Sequence, residues 1–159
     1  MAHVSILGTG TMGSAIAAVA SKGGHTVQVL GSADTDTPVS GDIVVLALPY
    51  PAVSDVVAQR GEQLAGKVVV DITNPLDFTT FDSLVVPADS SAAAEIAAAL
   101  PTSRVVKAFN TNFAGTLASG SVGSHSLLIT RLVVLFPEPM APVARSMGRL
   151  TCGSASVTA

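Results

Sequence analysis

Five short runs of mostly aliphatic residues recur along the first 110 positions of the chain and predict five strands. They lie at residues 4–7, 26–30, 43–48, 67–71 and 104–109. The run at 43–48 is continuously apolar, which is typical of a parallel strand buried on both faces. The pattern therefore indicates an α/β domain built on a parallel sheet.

Helical patterns separate most of these runs. They are predicted at residues 11–22, 51–60, 91–100 and 113–119. A glycine pair stops the first helix, and Pro51 suits the first position of the second because its missing N–H costs nothing there. Either Ser90 or Ser91 can cap the third helix, which is rich in alanine. Strands that alternate with helices in this way indicate crossover connections between parallel strands.

The connection between the second and third strands, residues 31–42, breaks this alternation. Its twelve residues are turn formers without an apolar period. Parallel strands are usually joined through a helix, but twelve extended residues span roughly 40 Å, enough to cross the sheet edge. We therefore predict a Rossmann-like, doubly wound parallel sheet of the α/β class that is shortened after strand two.

A glycine-rich turn lies between the first strand and the first helix, with the sequence Gly8-Thr9-Gly10-Thr11-Met12-Gly13. In the G-x-G-x-x-G pattern the first glycine permits a tight turn, the second lets a pyrophosphate approach, and the third lets the helix pack on the strand. The amide groups and positive dipole end of the helix then face the phosphates. The turn predicts dinucleotide binding, and the alternative is a tight turn without a ligand.

Ligands of open α/β sheets bind outside the carboxyl ends of the strands, near the point where the strand order reverses. Segments that follow the predicted strand ends should therefore line one crevice. These segments are Gly8–Gly13, Leu48-Pro49-Tyr50, Asn74-Pro75 and Asn110. Their convergence predicts a cofactor site.

Composition narrows the function classes. Of the 159 residues, 48% are hydrophobic and 12% charged, as expected of a folded domain rather than a disordered chain. The net charge of −3 without a basic patch argues against nucleic-acid binding. No apolar run approaches the roughly 20 residues of a membrane span, and no signal-peptide pattern is present. Because Cys152 is the single cysteine, an intrachain disulfide and a cysteine-based metal site are excluded. We expect no bound metal and a cytoplasmic location.

Five stretches occur together in one order: Gly8–Gly13, Asp42–Pro51, Val69–Leu76, Leu84–Ser91 and Val105–Thr111. In sequence and spacing they resemble the NADP-dependent reductases of the deazaflavin coenzyme F-420, whose superfamily includes the N-terminal domain of pyrroline-5-carboxylate reductase. The resemblance covers residues 1 to about 121. It implies NADP(H) in the crevice and the deazaflavin coenzyme F-420 as second substrate, with hydride transfer between the two rings.

The resemblance also implies roles by motif position. Residues 9–12 would contact the pyrophosphate, Leu48 and Pro49 the ribose–nicotinamide side, and Asn74 the nicotinamide end. Tyr50, the only tyrosine, would either stack nearby or shield the start of the helix as a rim aromatic. No general acid or base is expected, since the two rings carry the chemistry.

The end of the second strand bears on the choice between NADP and NAD. Gly31 and Ser32 match the phosphate-contacting turn of the family, but the arginine that commonly follows is replaced by Ala33. An arginine there favours NADP, whereas an acidic residue favours NAD. Ser32 can donate a hydrogen bond to a phosphate, and Asp34 would repel one if it pointed inward. The pattern favours NADP, with NAD as the alternative.

The family pattern stops after Gly120. Residues 122–159 contain three arginines and one glutamate but no aspartate and no lysine. We hypothesise that this tail comes from a shifted reading frame or a truncated gene. The expected organisation is therefore an NAD(P)-binding domain at 1–121 and a divergent tail at 122–159. Within the tail, residues 127–129 would add at most an edge strand, and residues 132–136 would continue it or pack on it.

Three functions remain open at this point. The first is an NADP-dependent oxidoreductase that transfers a hydride between NADP(H) and a deazaflavin-type coenzyme. The second is an NAD(P)-binding module without catalysis, or a degenerate fragment. The third is a reductase of another small substrate, such as a pyrroline or a metal chelate. The apolar tail also leaves a homo-oligomer open.

Overall fold

The computed structural model describes residues 1–77, 79–122, 125 and 126. Its centre is a parallel sheet with the strand order β2-β1-β3-β4-β5. The strands are β1 (His3–Leu7), β2 (Thr26–Leu30), β3 (Ile43–Leu46), β4 (Val68–Asp71) and β5 (Arg104–Lys107). Strand order reverses beside β1, which has β2 on one side and β3 on the other. The predicted doubly wound α/β fold is confirmed.

Four α-helices connect or follow the strands in the described part of the chain. They are α1 (Thr11–Lys22), α2 (Val53–Leu64), α3 (Ala92–Ala99) and α4 (Ala114–Ser119), followed by a short antiparallel pair, β6 (Ser121–Val122) and β7 (His125–Ser126). Of the two predicted caps for α3, the structure uses Ser91, whose hydroxyl accepts a hydrogen bond from the Ala94 amide at 3.2 Å.

The helices cover both faces of the sheet. On one face, α2 and α3 place Leu64 and Ile96 against Leu46 and Val69. On the other, α1 and α4 pack against a second apolar cluster that includes Ile6. Each fully buried aliphatic side chain contributes about 1.5–3 kcal/mol. The sheet is therefore held between two apolar layers, and its carboxyl edge is left for other groups.

Residues 31–42 take the place of a crossover helix, as predicted. The segment crosses the face covered by α2 and α3, where Val39 is buried in the core. Side chains outside the segment satisfy its backbone: Gln28 donates to one of its carbonyls at 3.0 Å and Lys67 to another at 2.7 Å. Gln63 accepts a hydrogen bond from the Val39 amide at 2.8 Å. Side-chain hydrogen bonds thus hold this segment in place where a crossover helix would otherwise lie.

Two strands end earlier than the sequence predicts. β3 ends at Leu46 rather than residue 48, close to Pro49, which has no N–H to extend the ladder. β5 ends at Lys107 rather than residue 109, because Phe109 has a φ of 58°, a left-handed conformation that ends an extended strand. The second helix also differs, since a 3-10 turn at Tyr50–Ala52 precedes α2 and α2 continues past Arg60 to Leu64.

None of the helices in the described part of the chain combines the length and apolarity needed to cross a membrane. The predicted edge strand at 127–129, the segment 132–136 and most of the divergent tail lie outside the described residues.

Candidate functional site

The carboxyl ends of all five strands lie in one row. In register, Leu7 pairs with Leu30 on one side and Leu46 on the other, and the row continues through Asp71 to Lys107. The segments that follow these strands therefore leave the sheet at the same edge. At its far side the Asn74 side chain donates a hydrogen bond to the Asn110 carbonyl at 3.2 Å, so these two predicted residues meet.

Two glycines of the turn are required by packing. Gly8 has a φ of 124°, and a Cβ built on it would overlap the Ala47 carbonyl oxygen in the segment after β3. A Cβ on Gly13 would overlap the carbonyl oxygen of Gly8 itself. Gly8 also donates its amide hydrogen to Leu30 at 2.8 Å, which ties the turn to the end of β2. Larger residues at these two positions would push the turn off the sheet.

Gly10 is different, because a Cβ on it would meet no atom within 4 Å. It is the N-cap of α1 with extended backbone, and no side chain caps the helix or places a negative charge in its first turn. The amide groups of that first turn and the positive end of the helix dipole are therefore able to bind an anion that is not part of the helix. Thr9, Gly10 and Thr11 are exposed beside this space. The arrangement fits a diphosphate, which needs close backbone approach and amide donors.

The turn after β2 lies against the glycine turn. A Cβ on Gly31 would lie 3.3 Å from Cγ2 of Thr9, so only a small residue leaves room between them. The Asp34 carboxylate accepts the Gly31 amide hydrogen at 2.7 Å. Ser32 and Ala33 are exposed. The Asp34 side chain is thus turned towards the backbone of its own loop.

Tyr50 follows β3, in the 3-10 turn ahead of α2. Its hydroxyl donates a short hydrogen bond to Glu95 on α3, and its ring packs with Leu48 against the core between α2 and α3. The bond to Glu95, with burial and nearby negative charge, raises the pKa of Tyr50 to about 12. Tyr50 and Glu95 also line a groove of about 420 Å³ between α2 and α3. Of the predicted site residues, only Tyr50 borders this groove.

Sequence reasoning missed three residues at the carboxyl ends of β4 and β5. Asp71 is completely buried and accepts hydrogen bonds from Lys107 Nζ at 2.9 Å and from the Thr73 amide at 2.8 Å. Lys107 also donates to the Thr73 carbonyl. The Thr73 hydroxyl is buried without a hydrogen-bond partner among the described residues. An aspartate and a lysine that end adjacent apolar strands were the available signal.

Comparison with known proteins places this geometry in a family context. Residues 32–75 match the family model described as NADP oxidoreductase, coenzyme F420-dependent. The F420-dependent NADP reductase of Methanocaldococcus jannaschii is 36% identical over 89 residues, which cover 54% of this chain and 40% of the relative.

Two solved structures share the fold. A proposed F420-dependent NADP-reductase from Arthrobacter sp. FB24 superposes with a TM-score of 0.64 and 28% identity, covering 73% of this chain and 66% of that one. A hypothetical protein from Sinorhizobium meliloti superposes with a TM-score of 0.62 and 26% identity, covering 74% of this chain and 66% of that one.

The chain spans 40% of the length of the curated relative that it matches. The matched family region nevertheless runs from the turn after β2 to the residues after β4, and so includes Ser32, Leu48, Pro49, Tyr50 and Asn74. These comparisons confirm the resemblance that the motifs indicate: the chain is similar to the coenzyme F420-dependent NADP oxidoreductases.

Proposed function

We propose that this chain binds NADP(H) along the carboxyl edge of its sheet and transfers a hydride between NADP(H) and a deazaflavin-type coenzyme. The observation that carries the proposal is the uncapped N-terminus of α1 behind Gly10. Two glycines there are fixed by packing, and the third faces open space, as expected where a diphosphate must approach the backbone.

In this proposal each segment of the carboxyl edge holds one part of the dinucleotide. Residues 9–12 hold the diphosphate, and Gly31 and Ser32 hold the adenosine end. This arrangement is supported by the closeness of Thr9 to Gly31, where an added Cβ would lie 3.3 Å from Thr9 Cγ2. Leu48, Pro49 and Tyr50 line the ribose–nicotinamide side, and Asn74, Pro75 and Asn110 the nicotinamide end. The bound nicotinamide supplies the hydride chemistry, and these residues orient the ring and exclude water.

The preference for NADP over NAD rests on the family and on Ser32, while Ala33 and Asp34 weaken it. A cytoplasmic location belongs to the same proposal. So does a homo-oligomer, and the exposed side chains of Leu84, Val85 and Phe113 offer apolar surface that such a contact would cover.

A second candidate is a nucleotide-binding module without hydride transfer. It is favoured by the extent of the family match, which covers residues 32–75. In that case the diphosphate and adenosine contacts are retained, and the second coenzyme does not bind.

Two measurements on the full chain test these proposals. Calorimetric titration with NADPH and NADH measures binding, and the absorbance of an oxidised deazaflavin incubated with NADPH measures turnover. Tight NADPH binding with deazaflavin reduction supports the first proposal, and binding without reduction supports the second. If well-folded protein takes up neither nucleotide at millimolar concentration, both proposals are wrong.

A further inference from the structure

Arg60 places a buried positive charge beneath the loop that follows β2, residues 31–42. It lies on α2 and is only 7% exposed. Its guanidinium donates to the Thr37 carbonyl at 2.7 Å and to the Asp34 carbonyl, both in that loop. Among the described residues, no carboxylate lies within ion-pair distance of Arg60. Two backbone carbonyls therefore hold a buried positive charge that no carboxylate in the described part of the chain neutralises directly.

A buried charge of this kind needs compensation. Carbonyl oxygens satisfy guanidinium donors, but they supply dipoles rather than a full negative charge. Because Arg60 is shielded from water, its field is screened less than that of a surface arginine. A negative group on the outer side of the loop would therefore be attracted to it.

The loop itself contains no positively charged residue. Residues 31–42 contain three aspartates and no lysine or arginine, and position 33 holds alanine. Arg60 donates to the backbone carbonyl of Asp34, but the Asp34 carboxylate accepts the Gly31 amide hydrogen instead of pairing with Arg60. A phosphate placed against Gly31 and Ser32 would thus face Asp34 on the loop and Arg60 behind it.

We propose that Arg60 is a specificity-determining residue for the 2′-phosphate of NADP(H), acting from behind the loop in place of a surface arginine at position 33. The proposal rests on the proposed nucleotide site. Arg60 does not touch the phosphate; it positions the Asp34–Thr37 backbone and supplies the positive potential there. Removing the charge should weaken binding of the 2′-phosphate selectively. The expected effect is about tenfold, because the loop backbone separates the guanidinium from the phosphate.

The test compares two fragments that differ only in this phosphate, adenosine 2′,5′-bisphosphate and adenosine 5′-monophosphate. The measured quantity is the ratio of their dissociation constants, obtained by titrating the full-length protein. R60M should lower the selectivity for the 2′-phosphate about tenfold, and R60K, which keeps the charge, should retain most of it. A purely structural role would weaken both fragments equally and leave the ratio unchanged.

Lys67 provides a matched control, because it also donates to a carbonyl of this loop, at Gly41 and 2.7 Å away. Gly41 lies at the opposite end of the loop from Gly31, so K67M should leave the ratio unchanged. Q63E covers the case in which R60M does not fold. Its carboxylate still accepts the Val39 amide hydrogen and lies one helical turn from Arg60, where it should offset the charge and lower the ratio about threefold.

The outcomes separate this inference from the function on which it rests. If wild-type protein binds both fragments with equal affinity, the role of Arg60 is excluded, whereas nucleotide binding stands. An unchanged ratio in R60M, or in Q63E where R60M is unfolded, also overturns the role of Arg60. If wild-type protein binds neither fragment nor NADPH, the nucleotide site itself is wrong, and this inference is wrong with it.

Discussion

The carbonyl oxygen of Gly8 occupies the space that a Cβ atom on Gly13 would need. The start of α1 therefore packs directly on the turn that leaves β1, with no side chain between them. Gly8 itself packs in the same way on Ala47. The first and third glycines of the motif thus serve the packing of the fold, and Gly10 alone faces open space.

This division predicts opposite effects for two conservative substitutions. G13A forces the turn and the helix apart, and should cost about 1–3 kcal/mol of unfolding free energy. G10A meets no protein atom, so its effect on stability should stay within about 1 kcal/mol. A methyl group there would crowd a bound diphosphate and should weaken NADPH binding about 5–100-fold. Denaturant unfolding and calorimetric titration measure the two effects.

G61A is the matched control for both variants. Gly61 lies within α2, and a Cβ there would make only an ordinary contact of 3.7 Å with Leu100. The substitution should raise helix stability by up to about 1 kcal/mol and leave NADPH binding unchanged. Unchanged NADPH binding in a folded G10A protein would show that no diphosphate lies against this turn.

Removing the charge of Asp34 should favour NADPH over NADH. In D34N the amide oxygen can still accept the Gly31 amide hydrogen, so the turn keeps its bond while losing its negative charge. The expected gain in NADPH affinity is about three- to tenfold, with little change for NADH. Parallel titrations with the two nucleotides check this. Equal changes for both would mean that Asp34 does not face the 2′-phosphate.

A33R introduces the cation that this position lacks. Position 33 is exposed, so the side chain can reach outward without disturbing the core. A guanidinium there can pair with a phosphate through two hydrogen bonds and should tighten NADPH binding about tenfold, again without a matching change for NADH. A titration that shows no change in NADPH affinity contradicts the proposed place of the adenosine end.

The sheet and its shortened crossover were predictable because both depend on local sequence. The conformation of β3 is predicted by its continuous apolar run, and that of residues 31–42 by their turn-forming residues. Neither prediction depends on residues distant in the sequence. The anchoring of that loop was not predictable, since Arg60 and Gln63 reach it from a helix more than twenty positions away. Their side chains look like ordinary polar residues until the fold brings them to the loop.

The candidate site shows the same division between local and distant information. The convergence of Asn74 and Asn110 follows from the rule that parallel strands end at one edge. The left-handed conformation of Phe109 does not follow from its sequence, because aromatic residues rarely adopt it. The ion pair of Asp71 with Lys107 depends on the register of two strands 36 positions apart, which sequence patterns do not fix.

That ion pair should dominate the stability of the β4–β5 edge. In K107M the fully buried Asp71 carboxylate loses its charged partner, and we expect a loss of about 3 kcal/mol of unfolding free energy. Urea unfolding followed by circular dichroism measures it. The value lies at the lower end of the range for buried pairs because the Lys107 side chain is 31% exposed.

The double variant D71N/K107M is the control for this prediction. It removes both charges, and the asparagine oxygen can still accept the Thr73 amide hydrogen. Its unfolding free energy should therefore lie well above that of K107M alone. A double variant that is no more stable than K107M would show that the lysine acts through packing rather than through its charge.

Tyr50 should titrate far from the range of a free phenol. Its pKa is raised from 10.0 to about 12, chiefly by the hydrogen bond to Glu95, so folding favours the neutral phenol. This contribution to stability is complete below pH 10 and is lost as the pH rises from about 10 to 12. Because the chain has one tyrosine and no tryptophan, tyrosinate absorbance reports this group alone. The midpoint should lie near pH 12 and move down in E95Q. A wild-type midpoint near pH 10, in protein that circular dichroism shows to be folded, would rule out the bond between Tyr50 and Glu95.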